Sequence, residues 1–389
     1  MFDAHRLRES WKTAAAHGDQ LLLFFYSTLF LTHPESRGMF PVGMAAQRDR
    51  FFTALGTIVS RADRMEELMP VLEQLGRNHR RLDLRAGHYQ AVRTALLTTL
   101  AHFLCPLWTD ELARDWEAAY DRVAHTMQQA AGRDDGPRWW DAEVIGHERR
   151  TLDVAVITVR PSSRLDFLPG QNLTVETHLR SRMWRRFSPA NAPRPDGSIE
   201  LHVRMVPGGA VSSALVHGIQ VGDVVRCGAP AGDRLTLAPG LDRPLLLIAG
   251  GTGLAPLKAL AEQVAAEGAA HHRPPVTLVH GVRTEHDLYD WPALESLART
   301  QHRWLTVIPA YSEVSVQPQV SGTAVEVALR LGRLTDHEVY VCGSDDMVRG
   351  TVERLTQAGT SRERIRFEPF PGSGEEALGV PGRRKHVRP

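Results

Sequence analysis

Leu245-Leu-Leu-Ile-Ala-Gly-Gly-Thr-Gly-Leu-Ala-Pro256 is an uninterrupted apolar run, then a glycine turn, then the start of an apolar helical stretch. A segment apolar at every position suits a strand buried on both faces, as in parallel sheets. Gly250, Gly251 and Gly253, with Thr252 among them, would let the backbone approach a phosphate, and the free N–H groups of the following helix favour its charge. A glycine turn is common to any α/β domain, so taken alone a plain structural turn fits about as well. The surroundings strengthen the ligand reading. Short apolar runs recur at Val276–His280, Leu305–Ala310 and Val339–Cys342, alternating with helical stretches such as Leu257–Ala266. This is the pattern of a doubly wound parallel sheet, and Cys342 runs into Gly343, a second bare turn at the carboxyl edge where such sheets bind ligands.

Upstream the period changes to two. Leu152, Val154 and Val156 alternate with other residues, and so do Ile199, Leu201, Val203 and Met205, which predicts a small antiparallel sheet or barrel. Further upstream the period is helical: Leu22, Tyr26, Leu29 and Gln47, Phe51, Leu55, Ile58. Of 24 prolines only Pro34, Pro41, Pro70 and Pro106 precede residue 131, as expected of an all-helical first third. Gly132-Arg-Asp-Asp-Gly-Pro137 is a polar, turn-forming linker. The 389 residues carry 46 Lys and Arg against 45 Asp and Glu, without the positive excess that holds nucleic acid non-specifically. Cys105, Cys227 and Cys342 are scattered and odd in number, so neither a disulfide framework nor a zinc site is suggested. The apolar run from Leu21 to Leu31 is too short to span a membrane and has no signal-peptide flanks, so a cytoplasmic protein is expected.

Two short segments of the predicted barrel carry chemistry. Arg186-Phe-Ser-Pro-Ala-Asn191 offers a phosphate partner, a stacking face and a hydroxyl in one extended stretch; Gly208-Gly-Ala-Val-Ser212 follows. An ordinary solvated Arg and a core Phe would read the same. In order and spacing, however, these segments and the glycine turn resemble the ferredoxin-reductase-like family, a flavin barrel followed by a nicotinamide domain. The resemblance implies that Arg186 holds the flavin pyrophosphate, Phe187 stacks along the flavin and Ser188 approaches its reactive end. It likewise places Gly209, Val211 and Ser212 on the phosphate side, Gly170-Gln171 at the barrel turn, and Phe370 of Phe367-Glu-Pro-Phe370 over the flavin. Gly250, Gly251, Thr252, Gly253, Cys342 and Gly343 would hold the nicotinamide cofactor. Phe187 stands where the family has Tyr, and Ser344 where it has Pro. Glu313, after the run ending at Ala310, replaces the Arg with which users of NADPH grip the 2′-phosphate, so the cofactor is expected to be NADH in preference to NADPH.

In the helical third, Tyr26, Gln47 and His79 lie on otherwise apolar helix faces, where each costs free energy unless it finds a partner. A lone His in such a place is usually a satisfied core residue. With Phe40 after the turn at Pro34–Gly38 and Tyr89 beyond His79, the set resembles the globin of the flavohaemoglobins. The resemblance implies haem b with His79 as proximal ligand, Tyr26 and Gln47 as the distal pair, Phe40 against the haem edge and Tyr89 in the proximal network. One departure is plain: the carboxylate that family members place beside the proximal His is absent, with Ala131 at the expected position and Gln128 and Gln129 nearby. Tyr89 or Gln128 is the expected substitute partner.

The resemblance implies three domains. These are an all-α globin over 1–132, an antiparallel β-barrel FAD domain over 138–241 and an α/β doubly wound NAD domain over 242–371; 372–389 is rich in Gly, Pro and charge and is expected to be a disordered tail. It also implies an oxidoreductase, a nitric oxide dioxygenase, in which NADH reduces FAD, FAD reduces the haem iron, and O₂ and nitric oxide yield nitrate. A haem-based gas or redox sensor with a reductase that resets the iron, and a flavin reductase or dehydrogenase with a mainly structural globin, are the alternatives.

Overall fold

The computed structural model describes residues 2–82, 84–133, 136–238, 242–267, 274–300, 304–313 and 317–370. The expected tail, 372–389, lies outside the described residues. The chain divides into two compact units, with the boundary between Arg138 and Trp139.

The first unit is helical, with α1 (Ala4–Ala15), α2 (Asp19–Thr32), α3 (Ala45–Ser60), α4 (Met65–His79), α5 (Ala86–Leu104) and α6 (Asp110–Gly132). Helix starts are set locally. The Asp3 carboxylate accepts from the amides of His5 and Arg6, and the Thr109 hydroxyl accepts from the Leu112 amide, satisfying donors that have no partner inside the helix. The core is apolar stripes meeting: Leu7 and Trp11 of α1, Phe25 and Leu29 of α2, Ala95 and Leu100 of α5, Leu112 and Trp116 of α6 are all buried. Helices α4 and α6 touch backbone to backbone at Gly76, where an added Cβ would come within 2.3 Å of the Met127 carbonyl oxygen. Any larger residue there would push His79, one turn on, away from α6.

The second unit begins with β1 (Trp140–Arg149), β2 (Val154–Pro161), β3 (Leu173–Thr177), β4 (Arg185–Phe187), β5 (Ile199–Arg204), the short helix α7 (Ala210–Ser213) and β6 (Val224–Cys227). The strands form one antiparallel sheet in the order β4-β3-β6-β1-β2-β5. A bridge between Pro189, just past β4, and Leu201 of β5 joins the two edges, so the sheet nearly closes into a barrel. Alternate residues Val144, Ile157, Val175, Leu201 and Val225 fill its interior. Leu152, read as part of a strand, is 84% exposed. It lies in the connection between β1 and β2, where the Thr151 hydroxyl accepts from the amides of Asp153 and Val154, and pairing begins only at Val154.

The rest is a parallel sheet in the order β11-β10-β7-β8-β9. It contains β7 (Leu245–Gly250), β8 (Val276–Val282), β9 (Leu305–Tyr311), β10 (Glu338–Ser344) and β11 (Ile365–Phe370), linked by α8 (Leu254–Glu267), α9 (Trp291–Thr300), α10 (Ala324–Arg330) and α11 (Asp345–Gln357). The all-apolar β7 is explained by its two faces. Leu245, Leu247 and Ala249 pack with Leu257 of α8 and Leu294 of α9, whereas Leu246 and Ile248 pack with Val325 of α10 and Val348 and Leu355 of α11. Strand β7 starts the sheet and has β10 on one side and β8 on the other, so the order reverses there, which opens a crevice at the carboxyl ends of β7 and β10.

Candidate functional site

In the helical unit, Tyr26 projects from α2 and is only 5% exposed. Phe30, Phe40 and Phe51 surround its ring, with the Phe40 centroid 5.5 Å away and edge-on. The Phe40 segment is held by Arg37, whose guanidinium donates to the carbonyls of Phe40 and Pro41. Burial among these rings pushes the Tyr26 phenol up to about 12, so it keeps its proton across the physiological range. On α3 the Gln47 amide nitrogen donates to the Tyr26 oxygen over 3.5 Å, and the Gln47 carbonyl oxygen accepts from Arg50 at 3.0 Å. Arg50, which sequence reasoning passed over, thereby fixes which end of the amide faces the phenol. Since the Tyr26 oxygen already accepts, its own proton is left to donate, and no protein acceptor lies within reach among the described residues.

His79 ends α4. Its Nδ1 lies 2.7 Å from the Leu75 carbonyl oxygen, one turn back. A carbonyl can only accept, so Nδ1 carries the proton and Nε2 presents a lone pair, the tautomer a metal ligand needs. Burial holds the imidazole below its ordinary pKa, which keeps it neutral. Among the described residues no hydrogen bond joins His79 to Tyr89 or Gln128, the expected partners; the one it makes goes to the Leu75 carbonyl. Tyr89 of α5 uses its carbonyl to accept from the Tyr120 hydroxyl at 2.7 Å, and Gln128 lines a cavity of about 570 Å³ together with Tyr89, Tyr120 and His125. One turn beyond Met127, where α6 meets Gly76, stand Ala130 and Ala131, which offer no polar side chain. The residues fit a haem: a neutral His with Nε2 open, and a protonated phenol backed by an oriented amide within an aromatic wall.

In the second unit, β4 pairs with β3, setting Arg186 opposite Thr174 and Phe187 opposite Leu173. The Phe187 ring packs against the barrel core with part of its surface exposed, and Arg186 is exposed. Gly170, at φ +89°, has no room for a side chain: a Cβ would lie 2.4 Å from the Leu235 carbonyl oxygen. Beside this turn the Asn172 amide donates to Glu368 of β11 at 3.3 Å. Burial raises the Glu368 pKa, while Arg186 and Arg234 draw it down. Asn172 and Glu368 thus join the Arg186 end of the barrel to the strand that carries Phe370, which pairs with Ser344 and is half-buried. Neither was singled out from sequence, although Glu368 lies within the quoted Phe367–Phe370. The Ser212 hydroxyl accepts from the Val206 amide and donates to the Gly209 carbonyl, so it braces the turn preceding α7, and Val211 is buried beneath.

At the carboxyl edge of the parallel sheet, a Cβ on Gly253 would sit 2.2 Å from the Cys342 carbonyl oxygen, and Gly343 lies against the backbone of Gly250. The two glycine turns are in direct contact, forming a cradle at the crevice between β7 and β10 with the start of α8 above it. Such a cradle suits a pyrophosphate. Along the same edge the Glu313 amide donates to the Arg283 carbonyl at 3.0 Å, placing exposed Glu313 after β9 next to the end of β8.

The chain matches three families in succession: Globin over residues 23–127, the Oxidoreductase FAD-binding domain over 140–234 and the Oxidoreductase NAD-binding domain over 247–353. It is 27% identical over 385 residues to a protein of Bordetella parapertussis named Flavohemoprotein, a match covering 92% of this chain and 94% of that one. It is 30% identical over 284 residues to the terephthalate 1,2-dioxygenase reductase component 1 of Comamonas sp., covering 72% of this chain and 80% of that one. Its fold is similar to that in the crystal structure of flavohemoglobin from Malassezia yamatoensis with bound FAD and heme. The TM-score is 0.73 at 18% identity, covering 95% of this chain and 98% of that one. No helix among the described residues is long and apolar enough to cross a membrane.

Proposed function

We infer from its membership of the flavohaemoglobin family, to which this chain belongs through its successive globin, FAD-binding and NAD-binding domains, that it is an NADH-dependent nitric oxide dioxygenase. The balanced reaction converts two nitric oxide and two O₂ to two nitrate ions while one NADH becomes NAD⁺ and releases one proton. When bound, the haem supplies the iron at which the gases react, and the FAD turns the hydride's electron pair into single electrons. The protein's own part is ligation, orientation and hydrogen bonding. His79 would hold a haem iron through Nε2, because Leu75 engages its other nitrogen. Tyr26, kept protonated by burial and steered by Gln47, donates to a partly negative ligand. Arg186, Asn172 and Glu368 gather at one end of the barrel to orient the flavin, and the Gly253–Cys342 contact shapes the cofactor turn.

The observation that carries this reading is the Tyr26–Gln47–Arg50 chain, which leaves a phenol proton to donate while fixing the oxygen that bears it. The test is consumption of nitric oxide by the purified holoprotein with NADH under air, with nitrate quantified as product. Tight gas binding without nitrate formation would reject it.

The proximal partner sets a second expectation. A neutral carbonyl makes an imidazole a weaker electron donor than a carboxylate partner does, so the peroxidase activity of the holoprotein is expected to be weak. Ala131→Glu should raise peroxidase activity on the order of tenfold and move the iron–histidine stretching vibration upward, with smaller change in nitrate formation. An unmoved vibration, once the new carboxylate is seen bonded to His79, would refute this account.

Cofactor choice follows from Glu313. Its carboxylate repels a 2′-phosphate and can accept from ribose hydroxyls. We expect kcat/KM for NADH to exceed that for NADPH by at least about tenfold, and Glu313→Ser to narrow the gap, because Arg283, held only at 3.8 Å by Asp287, remains to meet a phosphate. Wild-type preference for NADPH would overturn the assignment.

A further inference from the structure

Outside the sites described so far, a dense set of ionisable groups lies within the second unit, between the barrel and the parallel sheet. Lys258 of α8 is 5% exposed, and its ammonium donates to Glu200 of β5 at 2.7 Å and to Asp290, just before α9, at 2.8 Å. His202, two residues along β5 and on the same face as Glu200, is fully buried. Its Nε2 donates to Glu200 at 3.0 Å, and its Nδ1 accepts from the Tyr289 hydroxyl at 2.8 Å. Arg194 meets the other Glu200 oxygen at 3.3 Å. One turn further along α8, Glu262 accepts from the Ala192 amide at 3.0 Å, so two positions on one face of the helix bind the barrel. The cluster reaches the cofactor turn as well. The Tyr289 ring stands edge-on to His280, whose Nε2 donates to the Gly251 carbonyl at 3.1 Å.

Glu200, His202 and Asp290 have the donor set of a divalent-cation site. The ammonium of Lys258 is bonded to both carboxylates, so the protein supplies its own cation there. Asp290 and then Glu200 hold Lys258 above its usual pKa against the cost of burial, the His202 hydrogen bond and then the Lys258 charge hold Glu200 below its own, and burial holds the His202 pKa down. Burying such charges does little for stability, since apolar side chains of the same volume commonly serve as well. What an ammonium bonded to carboxylates from both layers does supply is registration, because its donors must point at both.

We propose that Lys258 is a positioning residue for hydride transfer: clamped between Glu200 of the flavin barrel and Asp290 of the nicotinamide domain, it fixes the start of α8, and with it the Gly250–Gly253 turn, against the barrel. The proposal rests on the reading of this unit as the FAD- and NADH-binding half, and is independent of what the globin oxidises. A hydride passes only between centres about 3–3.5 Å apart, and a slip of about 1 Å costs on the order of 100-fold in rate. Lys258, four residues into the helix that begins at Leu254, bonds the barrel at Glu200 and acts on the glycine turn through that helix.

The test uses the full-length holoprotein under argon and stops at the flavin, so it is separate from the nitrate assay. Lys258→Met alone takes the ammonium from two buried carboxylates and leaves them only Arg194 and His202 as partners, so the test is read in a variant that also neutralises the carboxylates. The companion Lys258→Met/Glu200→Gln/Asp290→Asn is neutral and keeps the volumes. In the triple variant we expect FAD and haem content and the thermal midpoint to be near wild type. The limiting rate of FAD reduction by NADH should fall at least about tenfold, with little change in half-saturation, and amide exchange across 249–256 should quicken. A wild-type limiting rate or wild-type exchange at the turn overturns the proposal, and so does failure of the triple variant to fold, since that would make the cluster a structural requirement.

Discussion

His79→Ala yields a protein that keeps its FAD and its NADH-driven flavin reduction but retains less than about a tenth of its haem, on the scale by which loss of a ligand or of its support weakens a metal site. The expectation follows from where the nitrogen atoms point. His79 is the last residue of α4, and its Nδ1 proton is committed to the Leu75 carbonyl one turn back. Nε2 is then the one imidazole atom able to bind iron, and the ring is neutral because burial holds its pKa down. Ala at this position removes the imidazole that would hold the haem and leaves the helix intact, since Ala is the best helix former. The variant should therefore fold, and the ratio of haem to flavin absorbance reports the loss directly. His125→Ala is the matched control: His125 is exposed on α6 and pairs with Gln129, so its removal should leave haem content unchanged. A His79→Ala protein with full haem and the wild-type spectrum would remove His79 as ligand.

How much of this was readable in the sequence depends on how local each cause is. Leu245 to Ala249 announced a strand buried on both faces because the two faces are covered by different helices, α8 and α9 on one side and α10 and α11 on the other. Tyr26, Gln47 and His79 stood out because a polar group on an apolar helix face needs a reason. The partner of His79 was not readable as such. Sequence patterns point to side chains such as Tyr89 and Gln128, whereas the bond His79 makes is to a backbone carbonyl four residues back, which carries no side-chain signature. Leu152 misled because alternation does not mark where a connection between strands begins, and the Thr151 hydroxyl bonds that define it leave no periodic trace. The Lys258 cluster was invisible for another reason. Its partners lie 58 and 32 residues away on different layers, and each, read alone, is an ordinary charged residue. Asn172 and Glu368, 196 residues apart, were hidden in the same way.

Tyr26→Phe should cut nitrate formation by on the order of 100-fold, comparable with removal of one donor from an oxyanion hole, and leave haem and FAD content and flavin reduction by NADH at wild-type values. The substitution deletes a single oxygen atom from a ring already caged by Phe30, Phe40 and Phe51, so packing is kept and the stability change is about 1 kcal/mol. The functional loss is larger because of what the neighbouring groups have already done. Arg50 takes the Gln47 carbonyl, Gln47 turns its NH₂ to the phenol oxygen, and burial keeps the phenol protonated up to about 12; three contributions converge on one proton ready to donate. A donor fixed in advance in a low-dielectric pocket stabilises developing charge without reorganising, which is why it is worth more than an ordinary hydrogen bond. Gln47→Leu should cost less, about tenfold, since it loosens the donor without removing it. The order of the two effects is the discriminating result. If Gln47→Leu were the more damaging, the amide itself would be the group that meets the ligand and Tyr26 its support; if Tyr26→Phe turned over at the wild-type rate, the distal pair would have no part in the reaction.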